Sequence, residues 1–116
     1  MNETLILQTN STPQGVVVRL EGRFDAEGAE GIKQPMQQLA ETTVGKLVID
    51  MSQVSFIDSA GLSVLVSTLK RARSVGGNVV LGAVQPQALT VFKLTMLDQV
   101  FSISPTIEAA LGSDLV

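Results

Sequence analysis

Two short stretches hold most of the side chains with chemical potential in this chain. One is Gly22-Arg23-Phe24-Asp25 and the other is Asp58-Ser59-Ala60-Gly61. Ser59 is the candidate nucleophile, and a serine nucleophile needs a base to take its proton. The sequence has no histidine and no cysteine, so a Ser-His-Asp relay, thiolate catalysis, disulfides and zinc–thiolate sites are all excluded. Lys46, Lys70 and Lys93 are the remaining neutral-base candidates near this part of the chain, and none has a spacing that argues for it. Asp25 and Asp58 are two loop carboxylates, too few to hold a magnesium ion, and each is also a common turn or cap residue. No metal or cofactor is expected.

Two readings of Ser59 remain. In the first it is a helix N-cap, its hydroxyl aimed at free backbone N–H groups, with Gly61 allowing close packing. In the second it accepts a phosphate. A phosphoserine carries roughly −1.5 to −2 charges, and a helix N-terminus favours an anion. The fold would tolerate that group, whereas a partner with acidic groups over the same spot would not.

The elements that must position these loops follow from periodicity. Leu47-Val48-Ile49 is a continuous apolar run between Lys46 and Asp50, as in a central strand covered on both faces. After Ser59, apolar residues recur at Leu62, Leu65, Val66, Leu69 and Ala72, the spacing of a helix with one buried face. Lys70, Arg71 and Arg73 end that helix and Gly76 stops it. Upstream, Leu5-Ile6-Leu7 and Val16 to Leu20 predict two strands paired antiparallel, joined by a turn-rich connector over Thr9 to Gly15. Asp25 is placed to cap a helix through Ala29, Ile32, Met36, Leu39 and Ala40, bent at the interior Pro35. Downstream, Asn78 to Val84 predicts a strand and Pro86 to Met96 a helix. A last strand is expected over Val100 to Ile103, then a final helix opened by Pro105 and closed by Gly112. Alternation of this kind predicts an α/β fold with a mostly parallel central sheet, an extra N-terminal antiparallel strand and about four helices. Function is expected in the loops at the carboxyl ends of the strands, which hold Gly22–Asp25, Asp58–Gly61, Gln85 and Ser104.

Composition bounds the rest. At 116 residues and 45% hydrophobic, the chain suits a single domain spanning residues 1–116. Apolar runs are only a few residues long and the N-terminus lacks the pattern of a signal peptide, so the expected setting is the cytoplasm without direct membrane contact. The net charge is −3, with eight basic residues and no Tyr or Trp, which argues against nucleic-acid binding.

The chain resembles the bacterial STAS domain, most closely its small anti-sigma factor antagonists. The resemblance rests on Gly22-Arg23-Phe24-Asp25-Ala26, Leu47-Val48-Ile49-Asp50, Phe56-Ile57-Asp58-Ser59-Ala60-Gly61-Leu62 and the stretch from Phe92 to Phe101. It spans about Val16 to Leu111. It implies a binding protein, not an enzyme. The unphosphorylated form would bind an anti-sigma factor, often a serine protein kinase, and release a sigma factor. The kinase would phosphorylate Ser59 and break the complex, and a serine phosphatase would reset it. Carried onto this chain, Asp25, Asp58, Gly61, Leu62 and Ser63 form the partner-binding surface around Ser59. A non-switching STAS subunit of a scaffold or transport assembly is the alternative. Three positions depart from the pattern. Ala60 replaces a frequent hydroxyl residue, Ser63 adds a hydroxyl one turn on, and Met96 replaces a common glycine. If position 96 needs a left-handed backbone, methionine is unfavourable there and the turn should differ locally.

Overall fold

The computed structural model describes residues 5–112. It has a five-stranded sheet whose spatial order equals its chain order. The first two strands, β1 (Ile6–Thr12) and β2 (Gly15–Phe24), pair antiparallel. Helix α1 (Ala26–Thr42) leads to β3 (Lys46–Ile57), parallel to β2. Helix α2 (Ser59–Ser74), strand β4 (Asn78–Gly82), helix α3 (Pro86–Leu94), strand β5 (Ser102–Ser104) and helix α4 (Ile107–Gly112) complete the order. The expected α/β architecture with one antiparallel pair is the one found.

Side-chain alternation along the central strands explains the layers. Leu47, Ile49 and Met51 of β3, with Val79 and Leu81 of β4, enter the main core under α1, α2 and α3. Val48 and Val80 point the other way and meet Ala110 of α4. The continuous apolar run at the start of β3 is thus a strand buried on both faces. Fully burying each of these side chains contributes about 2 kcal/mol.

Several boundaries differ from the sequence reading. The first strand continues to Thr12, where a connector was expected. Its outer half is polar because β1 is an edge strand, and Thr12 closes a tight turn by accepting from the N–H groups of Gln14 and Gly15. Helix α1 runs unbroken through Pro35. Gly31, four residues earlier, is exposed, so the carbonyl that loses its donor lies on the solvent side. Helix α3 ends at Leu94, and residues 97–99 form a 3-10 turn before β5 begins at Ser102. Met96 adopts φ 61° and ψ 16°, so the left-handed turn is kept despite the methionine. The last helix begins at Ile107, two residues beyond Pro105.

Strand β3 is much longer than its apolar run. Two register shifts against β2, between Arg19 and Glu21 and between Gly22 and Arg23, mark bulges. At the first, the Asp50 carboxylate accepts from the Ser52 N–H at 2.9 Å. Beyond Asp50 the strand has no β4 partner, and it projects its end towards the carboxyl edge of the sheet.

Candidate functional site at the carboxyl edge

Strand register brings the two candidate loops together. Phe24 of β2 pairs with Ile57 of β3, so Asp25 and Asp58 are the next residues on neighbouring strands. Strand spacing places their backbones about 5 Å apart. The Asp58 N–H donates to the Phe24 carbonyl at 3.4 Å, which continues the pairing into the loop.

Asp58, not Ser59, is the N-cap of α2. Its backbone is extended at φ −127°, and its carboxylate accepts from the N–H groups of Ala60 at 2.9 Å and Gly61 at 3.4 Å. A cap must be extended and one residue ahead of the first helical turn, and the chain meets both conditions at Asp58. Ser59 is instead the first helical residue. It is exposed, and among the described residues no group hydrogen-bonds its hydroxyl. Ser63, one turn on, is also exposed, but its hydroxyl donates to the Ser59 carbonyl at 2.9 Å. The cap therefore leaves one free hydroxyl at the tip of α2.

Asp25 caps α1 as expected, its carboxylate accepting from the Gly28 N–H at 3.1 Å. That bond, with the Arg23 guanidinium 3.5 Å away, holds its carboxyl below the ordinary value. Arg23 also lies over the Phe56 ring at 4.2 Å, joining the two loops.

Gly61 and Leu62 are buried, so Gly61 acts through packing. A Cβ on Gly61 would press into the Phe24 carbonyl oxygen and lie 2.8 Å from Ile57 Cγ1 and 2.9 Å from Phe24 Cγ. Only glycine lets α2 start this close to the strand ends. Leu62 is 7% exposed; it joins the core and reaches a surface groove beside Ser63.

Gln87, on the first turn of α3, is a residue the sequence reading missed. Its side chain accepts from the Ile57 N–H at 3.0 Å and donates to the Ile57 carbonyl at 3.1 Å. Gln85 likewise donates to the Ser52 carbonyl. These two amides replace the strand that β3 lacks beyond Asp50, and they hold the peptide just before Asp58. A Gln-x-Gln pair at a helix start is the only signal, and periodicity does not register it.

Lys46 does not supply a base to Ser59. Lys46 is buried at the opposite end of β3, its ammonium donating to the Ala110 and Leu111 carbonyls at 2.8 and 3.0 Å. Among the described residues, no three carboxylates gather as a metal-ligand set, and no helix is long and apolar enough to cross a membrane. Arg71, at the basic end of α2, pairs with Glu41 of α1 at 3.1 Å.

Comparison with known proteins gives a consistent picture. The family model described as STAS domain matches residues 6–110. The anti-sigma-B factor antagonist of Bacillus subtilis is 30% identical over 77% of this chain and 81% of its own length. The intermembrane phospholipid transport system binding protein MlaB of Escherichia coli is 32% identical over 81% of this chain and 90% of its own. Among solved structures, an anti-sigma factor antagonist from Mycobacterium paratuberculosis superposes with a TM-score of 0.83 and 27% identity, covering 97% of each chain.

Proposed function

The chain belongs to the STAS domain family, and from that premise we propose that it is an anti-sigma factor antagonist switched by phosphorylation at Ser59. In its unphosphorylated form it binds an anti-sigma factor that is also a serine kinase, and so frees a sigma factor. The kinase transfers a phosphoryl group to Ser59 Oγ, and a serine phosphatase removes it. The chain acts by binding, not by turnover, and does so in the cytoplasm. Asp25, Asp58 and Ser63 contribute to the docking face, with Gly61 and Leu62 shaping it from beneath.

The observation that carries this reading is the exposed, unbonded Ser59 hydroxyl in the first turn of α2. Asp58 already holds two of the first free N–H groups of the helix. A phosphate at Ser59 therefore adds its roughly −1.5 to −2 charges to a surface that already has two carboxylates. The fold survives, because the group points into solvent. An acidic partner surface over the same spot is repelled by about 3 kcal/mol, roughly a hundredfold in affinity.

Phosphosite mapping by mass spectrometry, after incubation of the purified protein with host lysate and ATP, tests this. One phosphate at Ser59, absent from Ser59→Ala, is the expected result. Ser59→Asp should lose the partner and Ser59→Ala should keep it; equal binding by both rejects the switch. The similarity to the transport-system protein of Escherichia coli favours a second reading, a non-switching subunit. That reading predicts stable co-purification with a complex, unchanged by ATP.

A further inference from the structure

We propose that the exposed apolar segment around Met96 is a second docking point for the same partner, which meets it with an apolar side chain rimmed by carboxylates. The proposal rests on reading the Ser59 face as the switch. Met96 has φ 61°, a backbone conformation that penalises any side chain with a Cβ and favours glycine. The methionine is nevertheless present and 61% exposed, so its side chain gains little from the chain's own core. Leu94 and Val100 flank it at 79% and 43% exposure. Three of the six large exposed apolar residues among the described ones thus fall within one short segment.

The segment is held firmly. The Thr95 N–H donates to the Val91 carbonyl and the Met96 N–H to the Lys93 carbonyl, each at 3.1 Å. Phe92 and Phe101 close its base edge to face, with ring centroids 5.8 Å apart. A rigid apolar presentation loses little freedom on docking.

Continuity and charge identify the occupant. Leu97 lines a groove with Leu62, Ser63, Val66, Ser67 and Lys70 of α2. Ser59, Ser63, the half-buried Ser67 and Lys70 follow helical spacing along one stripe of α2, so this groove joins the Met96 segment to the Ser59 face. Lys70, on the groove, and Lys93, three residues before Met96, are exposed, while Asp98, two residues after Met96, is half-buried. A partner that pairs with these lysines is acidic, the same sign that a phosphate at Ser59 repels.

The test starts from immobilised wild type, Met96→Gly and Ser59→Asp exposed to host lysate without ATP. Proteins retained by the wild type are identified, produced in pure form and titrated against each variant. Met96→Gly should melt about 3 °C higher, because strain is relieved, yet bind about tenfold more weakly. Binding equal to wild type overturns the proposal. If Met96→Gly melts lower, Leu94→Gln, which changes an exposed side chain, decides in its place by the same tenfold criterion. A partner lost by Met96→Gly but kept by Ser59→Asp upholds the docking point and rejects the switch. A wild type that retains nothing rejects both.

Discussion

At the first βα junction β2 ends at Phe24, Asp25 caps α1 and Gly28 seats the helix; at the second, β3 ends at Ile57, Asp58 caps α2 and Gly61 seats it. The residue directly after the cap differs. It is Ala26 in one case and Ser59 in the other. The repeated Asp-x-x-Gly arrangement shows that the carboxylate and the glycine are scaffolding, since a junction without any hydroxyl uses both. What the second junction adds is a hydroxyl that no backbone group needs.

Exchanging the two residues gives the largest effect. Ser59→Ala combined with Ala26→Ser should abolish phosphorylation in host lysate, read by mass spectrometry, and the hydroxyl introduced at position 26 should not take it over. Equal labelling at position 26 would show that the kinase reads only a capped helix start and ignores the face of α2. A stability comparison comes next. Gly61→Ala forces a methyl group into the Phe24 carbonyl and should destabilise by about 3 kcal/mol in urea unfolding. Gly31→Ala, at a helical position with nothing within 4 Å of the added atom, should stabilise by about 0.5 kcal/mol. The smallest effects concern the caps. Asp58→Ala removes the acceptor of two N–H groups and should cost about 1 kcal/mol. Asp25→Asn should cost less, and its cost should depend on acid. The folded carboxyl of Asp25 lies below its ordinary 3.8, held there by the Gly28 N–H first and by Arg23 next. Its stabilising contribution is complete above that ordinary value and is lost as pH falls through the lower folded one. The gap between wild type and Asp25→Asn should therefore narrow under acid unfolding.

Much of the fold was legible because burial follows period. The run Leu47 to Ile49 and the spacing from Leu62 to Ala72 each have one physical explanation. The carboxyl half of β3 was not legible: bulges at Asp50 and near Val54 break its alternation, and its edge is closed by side-chain amides from α3 and the turn before it. The position of the Asp58–Gly61 loop at the carboxyl end of β3 was legible, but the cap of α2 was assigned one residue late. Ser and Asp are both good caps, and only the backbone path decides between them. The left-handed turn at Met96 was obscured for the opposite reason, since a residue suited to the conformation would have announced it.

The contact between Gln87 and the peptide of Ile57 has a metric consequence. Gln87 sits on the first turn of α3 and Met96 just beyond its last. The seven helical steps from Gln87 to Leu94, at about 1.5 Å each, make the helix a spacer of about 10 Å between the strand end beside Ser59 and the turn that holds Met96. One added residue would lengthen it by about 1.5 Å and swing the tip by about 100°. Were one partner to dock at both ends, it would have to span that fixed interval, and the length of α3 would then discriminate between partners by geometry, independently of which side chains line either end.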